Sequence, residues 1–185
     1  WDGLPMAVMS GDIDAIIAGM SPTAERQQTL DFTAPYYESE LVVVVKKDGP
    51  YAAATQLADF TGAKITGQLN TFHYTVIDQI PGVVKETAME TFPAMIVALN
   101  AGAIDGYISE RPGALAAVEA NPGLAYVPFE EGKGFTASPE DVAVAVGLKK
   151  GSELTAKIND VLAGISKEQR QEIMDAAIKA QPLSN

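Results

Sequence analysis

The apolar positions of this chain come in short blocks whose period alternates between that of a helix and that of a strand. Leu4, Met6, Ala7, Val8 and Met9 follow helical spacing and stop at Gly11, which predicts a short amphipathic helix. Residues 13–18 then read as a buried strand. Ser21-Pro22 is a helix-start signal, because serine caps and proline suits the first helical position, so residues 23–30 are expected to be helical. Leu41-Val42-Val43-Val44-Val45 is a β-branched run ended by Lys46-Lys47-Asp48-Gly49-Pro50, the pattern of a strand buried on both faces. Beyond it the same reading predicts helices over 55–60, 71–79, 91–101, 112–120, 152–164 and 167–180. Strands are expected over 64–67, 83–86, 107–109, 124–129 and 142–148. Strands alternating with helices predict an α/β architecture with mainly parallel sheets.

The composition narrows the function classes. Of 185 residues 47% are hydrophobic and 20% are charged, a globular balance that leaves room for a core, even two small ones. The net charge of −11 makes the surface repel nucleic acid and anionic lipid. There is no cysteine and one histidine, His73, so disulfide scaffolds, thiol catalysis and multi-histidine metal sites are excluded. No signal peptide is visible, and the longest apolar run is far too short to span a bilayer. The chain opens at Trp1-Asp2-Gly3 without a methionine, and we expect it to be a fragment.

The most informative pattern is an internal echo. Residues 7–18 read A-V-M-S-G-D-I-D-A-I-I-A, and residues 98–109 read A-L-N-A-G-A-I-D-G-Y-I-S. At constant offset Ala7 matches Ala98, Gly11 matches Gly102, Ile13 matches Ile104, Asp14 matches Asp105 and Ile17 matches Ile108. Each copy is a helix, a glycine stop, an Ile-Asp pair and a strand. A repeated helix–strand unit implies two similar α/β lobes, although any such unit shares some of this pattern. Ligands of open α/β sheets bind beyond the carboxyl ends of strands. The residues just past the two strands are Gly19 with Ser21 and Glu110 with Arg111.

Gly19-Met20-Ser21-Pro22-Thr23-Ala24-Glu25-Arg26 gathers a small residue, a hydroxyl and an arginine around an expected helix start, where backbone N–H groups attract anions. Arg26 can hold a carboxylate in a two-pronged pair. The plain alternative is a capped surface helix with Arg26 paired to Glu25 or Asp31.

The run Gly19-Met20-Ser21, Thr23-Ala24-Glu25-Arg26 and Asp31-Phe32-Thr33-Ala34-Pro35-Tyr36-Tyr37, preceded by Trp1-Asp2-Gly3-Leu4-Pro5, resembles the polar amino-acid family of extracytoplasmic solute-binding proteins. The likeness extends over essentially the whole chain. Gly67-Gln68-Leu69-Asn70-Thr71 resembles the family's second-lobe loop, with Asn70 where glycine is usual. Ile104-Asp105-Gly106-Tyr107-Ile108-Ser109-Glu110 resembles its acidic motif, with Glu110 where aspartate is commoner.

The resemblance implies two Rossmann-like lobes joined by two hinge strands, the type II periplasmic-binding-protein fold, with the first lobe incomplete. It places lobe 1 at 1–44, lobe 2 at 45–143, and a return to lobe 1 with C-terminal helices at 144–185. The strands at 41–47 and 142–148 would be the crossings, and closure about them would trap a ligand. It also implies a binding scheme that spans Trp1, Gly19, Met20, Ser21, Arg26, Gln68, Thr71, Phe72, His73 and Glu110. Arg26 would clamp the ligand carboxylate, with Ser21 and backbone N–H groups near Thr71 and Phe72 assisting. The Gly19 carbonyl and Glu110 would take the ammonium. Trp1 would cover the ligand side chain, with Gln68 and His73 near it. Simpler readings stand beside these: Trp1 as core, His73 as a helix-start or surface residue, Glu110 as a solvated charge.

The function so implied is capture of a free polar amino acid, of the arginine or glutamine type, for the permease of an ABC transporter. The expected protein works outside the cytoplasm without cofactor, metal or nucleic acid, as a monomer when complete. The alternatives are a ligand-sensing receptor domain and a cleft enzyme such as a dehydratase, in which Glu110 would serve as acid or base.

Overall fold

A computed structural model describes residues 3–180. In chain order its regular elements are α1 (Gly3–Ser10), β1 (Ala15–Ile16), β2 (Leu30–Phe32), β3 (Tyr37–Glu38), β4 (Leu41–Lys46), β5 (Lys64–Thr66), α2 (Phe72–Thr75), β6 (Val84–Lys85), α3 (Phe92–Ala101), β7 (Gly106–Glu110), α4 (Arg111–Ala120), β8 (Leu124–Val127), α5 (Pro139–Val142), β9 (Ala143–Val144), β10 (Gly147–Lys149), α6 (Leu154–Ala163) and α7 (Lys167–Ala180). Tight 3-10 turns occur at Arg26–Gln28, Leu57–Phe60 and Val76–Gln79.

The chain forms two compact units. Among the described residues, the first comprises 3–39 and Ser138–Ala176; the second comprises Glu40–Ala137 and 177–180. The crossings thus fall at 39/40 and 137/138, earlier than the 44/45 and 143/144 read from the sequence. The physical reason is strand pairing. Leu41–Lys46 pairs with β7 from Leu41 to Val45 and with β8 from Val43 to Lys46, inside the second unit.

The second unit is a five-stranded sheet in the order β6-β5-β7-β4-β8. β6, β5 and β7 run parallel, and β4 is antiparallel to both its neighbours. The expected mainly parallel sheet is therefore present here with one strand reversed. All five residues from Leu41 to Val45 are buried. Their side chains alternate between the two faces. Leu41, Val43 and Val45 join a core with Phe60, Ile65, Ile77, Ile80, Ile108 and Val127. Val42 and Val44 join a second core with Met95, Leu99, Ile104, Tyr107, Ala114 and Leu124. A strand clad on both faces needs an unbroken apolar run, which is the pattern at 41–45.

The first unit is antiparallel throughout. One sheet has the order β1-β10-β2, and a two-stranded ribbon pairs β3 with β9. Its apolar cluster is small: Val8, Ile16, Met20 and Leu30, flanked by Leu4, Ile13 and Phe32. The long strand expected over 142–148 is divided between these two sheets. The step between them is fastened by Ala145 N–H donating to the Met20 carbonyl and Val146 N–H donating to Thr33 Oγ1, both at 3.1 Å. The helix expected over 23–30 shrinks to the turn Arg26–Gln28, because Leu30–Phe32 is recruited as β2 against Gly147–Lys149.

The internal echo is a structural repeat. Gly11 and Gly102 both take left-handed backbone, with φ of 87° and 75°. At the matched alanines the closing bond is the same: Asp12 N–H donates to the Ala7 carbonyl at 2.9 Å, and Ala103 N–H to the Ala98 carbonyl at 3.0 Å. Both helices end in a glycine-closed turn that satisfies their last carbonyls.

Candidate functional site

The candidate groups of the first unit lie on the segment that leaves β1. Gly19 has φ of 71°, a conformation that favours glycine, and its N–H donates to the Tyr36 hydroxyl at 3.2 Å. Met20 is 1% exposed, packed with Val8, Ile16 and Leu30, so its side chain belongs to the core and only its backbone faces other roles. Ser21 is also buried, and its hydroxyl donates to the Asp141 carbonyl at 2.7 Å. That proton ties the segment to α5 rather than capping a helix, which corrects the helix-start reading of Ser21. The backbone carbonyl of Ser21 accepts from Arg26 Nη1 at 3.0 Å. Thr23, not Ser21, faces the turn that carries Arg26: Arg26 N–H donates to Thr23 Oγ1 at 3.4 Å. The guanidinium is thus held back toward the Gly19–Ser21 segment while remaining partly exposed.

In the second unit the loop after β5 is tied to the chain beyond β6. Leu69 N–H donates to the Met89 carbonyl at 2.8 Å, and the Gln68 side-chain amide donates to the Glu90 carbonyl at 3.1 Å. Gln68 is therefore a loop fastener. Asn70 has φ of 57°, the one non-glycine residue with left-handed backbone among the described residues. Asparagine tolerates that region better than most residues, so the loop keeps the geometry that glycine would give. Thr71 precedes α2 in extended conformation, and its hydroxyl donates to the Gln68 carbonyl at 2.8 Å. Phe72 is half-buried, and its ring lies 4.6 Å from the His73 ring. α2 packs directly on Gly67: a methyl group there would come within 2.7 Å of the His73 carbonyl oxygen.

Glu110 is the last residue of β7 and precedes α4 without capping it. Its Oε1 lies 3.7 Å from His73 Nε2. His73 is 7% exposed, so it is not the surface residue that one simple sequence reading allowed; it is the second residue of α2, at the helix start that the other allowed. The structure brings together Gly19, Ser21 and Arg26 in one unit, and Gln68, Thr71, Phe72, His73 and Glu110 in the other. Trp1 lies outside the described residues. Sequence reasoning missed the anchors: the Asp141 and Glu90 carbonyls and the Tyr36 hydroxyl. Only Tyr36 had a signal, as part of the Pro35-Tyr36-Tyr37 run.

Among the described residues, no group of three or more His, Asp or Glu side chains is placed to hold a metal ion. No helix among them is long and apolar enough to cross a membrane.

A fold of this kind, with glycine-stopped helix–strand units opening onto an arginine in one unit and a carboxylate in the other, is that of the type II periplasmic binding proteins. The structure superposes with a TM-score of 0.82 on an amino acid ABC transporter substrate-binding protein of Streptococcus pneumoniae Canada MDR_19A bound to L-arginine. That match is 27% identical and covers 96% of this chain and 72% of the other. Residues 1–179 match the family model described as bacterial extracellular solute-binding proteins, family 3, and the chain belongs to that family.

Two curated relatives are similar. ABC transporter arginine-binding protein 1 of Escherichia coli (strain K12) is 28% identical over 173 residues, covering 89% of this chain and 65% of the relative. A probable histidine-binding protein of Neisseria gonorrhoeae is 29% identical over 168 residues, covering 88% and 59%. The chain therefore spans about three-fifths to two-thirds of their length.

Proposed function

We propose that this chain captures a free polar amino acid outside the cytoplasm, with groups drawn from both units, and delivers it to the permease of an ABC importer. The observation that carries the proposal is the repeat itself. Gly19 and Glu110 occupy the matching position in the two copies, three residues past β1 in one and at the last residue of β7 in the other, at the carboxyl end of the strand where α/β sheets bind their ligands. One end offers a carbonyl with Arg26 beside it, and the other offers a carboxylate. An α-amino acid needs both charges met, and a simple anion or cation needs only one.

In this reading Arg26 clamps the α-carboxylate, assisted by N–H groups at Thr71 and Phe72, while Glu110 and the Gly19 carbonyl receive the ammonium. Ser21 acts through its backbone, since its hydroxyl proton is committed to Asp141. Relatives named as arginine- and histidine-binding proteins support a cationic or polar side chain. Contact with both units gives the ligand a differential hold on one arrangement of the chain, which a permease can read.

Isothermal calorimetry against L-arginine, L-glutamine, L-histidine and their uncharged analogues tests this. Saturable binding of one of the amino acids is expected, weakened by about 2–5 kcal/mol in Arg26→Ala, the usual cost of leaving a buried charge unpaired. Turnover of a candidate substrate, or heat only with non-amino acids, would contradict it.

A further inference from the structure

His73 is the residue whose surroundings the binding scheme leaves unexplained. It is 7% exposed, and neither Nδ1 nor Nε2 has a hydrogen-bond partner. Burying a polar ring without partners is costly, and a native structure rarely keeps such a ring without a use. Phe72 lies on one side, 4.6 Å away, and Phe92 contacts it edge-on at 6.3 Å. The nearest counter-charge is the Glu110 carboxylate, at 3.7 Å from Nε2. That spacing is ion-pair range but outside hydrogen-bonding range. The pair lies wholly within the second unit.

The other groups that bear on the ring are few. α2 itself carries only Tyr74 besides His73, and the Lys85 ammonium sits 4.3 Å from the centre of the Tyr74 ring. β7 contributes Glu110 and Tyr107; the Tyr107 hydroxyl is buried, and burial pushes its ionisation far above the ordinary tyrosine range. α3 has no ionisable side chain. β4 carries Lys46 at its far end, where it pairs with Leu124 rather than with Glu110. Arg111 follows Glu110 as the first residue of α4 and is exposed. Glu110 is thus the one carboxylate at contact distance from the imidazole among the described residues.

We propose that His73 is a positioning residue for Glu110, and that the two form a proton-linked pair: protonated His73 draws the carboxylate to itself, and an arriving ligand ammonium takes its place and expels the proton. The ligand half of this inference rests on the amino-acid reading above. Two cations sharing one carboxylate at such distances repel each other strongly in a partly buried site. Capture is therefore favoured where the imidazole is neutral and opposed where it is charged, and histidine changes charge between about pH 5 and pH 8. Affinity should rise as pH increases through that window.

The test has two arms. In the first, calorimetry with L-arginine and L-glutamine is run at pH 5.5 and pH 7.5, in buffers of different ionisation heat. Binding on the order of tenfold weaker at the lower pH is expected, with heat that depends on the buffer because a proton leaves. His73→Gln should flatten the pH profile and remove the buffer dependence, whatever its absolute affinity. In the second arm no ligand is used. His73 is the sole histidine of the chain, so a preparation without a histidine tag shows one imidazole signal in NMR. Its titration should move to lower pH in Glu110→Gln. A signal that titrates identically in both chains would overturn the pair, and a flat pH profile in the wild-type chain would overturn its link to capture. Absence of binding by either amino acid at both pH values would overturn the capture reading, while the imidazole titration still decides the pair.

Discussion

Ile17 and Ile108 stand at the same place in the two copies of the repeated helix–glycine–strand unit, yet the first is 70% exposed and the second is fully buried. The copies agree in everything local: left-handed Gly11 and Gly102, the same closing bond to Ala7 and Ala98, and buried Val8 and Leu99 beneath the helix. They differ in what surrounds the strand. β1 is two residues long and forms the edge of a three-stranded sheet, paired only with β10. β7 is five residues long and sits between β5 and β4. Sequence likeness thus set the backbone turn, while sheet neighbours set the burial. The same contrast runs through the units: the second has apolar cores on both faces of its sheet, while in the first, α6 and α7 contribute no fully buried residue.

The largest effect should come from charging the two isoleucines. Ile108→Asp places an unpaired carboxylate in a full core and should cost more than about 4 kcal/mol, seen as loss of the cooperative unfolding transition. Ile17→Asp should shift stability by no more than about 0.5 kcal/mol. An equal collapse in both would show that Ile17 is covered in solution and would break the comparison.

Next in size is the glycine pair, where the copies should behave alike. Gly11→Ala and Gly102→Ala each force a β-carbon into left-handed backbone, at a cost of about 1–2 kcal/mol in urea unfolding. A large difference between them would mean that the shared turn does not do the same job.

The smallest effect is electrostatic and common to both units. In the first, the Gly151 N–H at 2.7 Å and then the Lys150 ammonium hold the Asp31 carboxyl below the ordinary aspartate range. In the second, hydrogen bonds from the Thr55 N–H, and then from the Gln56 side chain, do the same for Asp59. A lowered folded-state value means that the stabilisation is present above the unfolded-state value and is lost as pH falls through the folded one. Stability should therefore decline in acid below about pH 4, and Asp31→Asn should reduce that decline, measured as the urea midpoint at pH 7 and pH 3.

These contrasts also show what the chain made legible. Glycine stops, the valine run and the Thr91–Pro93 helix start are local signals, and α1, β4 and α3 sit where those signals place them. The helix over 23–30 and the unbroken strand over 142–148 failed because pairing partners from distant segments claimed Leu30 and divided 143–149 between two sheets. At the candidate site, Arg26 and Glu110, proposed from motif and charge, lie on the Arg26–Gln28 turn and at the end of β7. The core placement of Met20, the commitment of the Ser21 hydroxyl to Asp141, and the burial of His73 against Glu110 were not legible in the sequence. The last two join residues far apart in sequence, which no local pattern encodes, while Met20 is enclosed by Val8, Ile16 and Leu30 once Leu30 enters β2.

The account stands on the claim that one ligand engages both units. Hydrogen exchange with and without saturating L-arginine or L-glutamine tests it most directly. The account predicts that ligand slows exchange both over residues 19–26 and over residues 68–74. Slowing confined to one of these segments, with saturable binding intact, would contradict it.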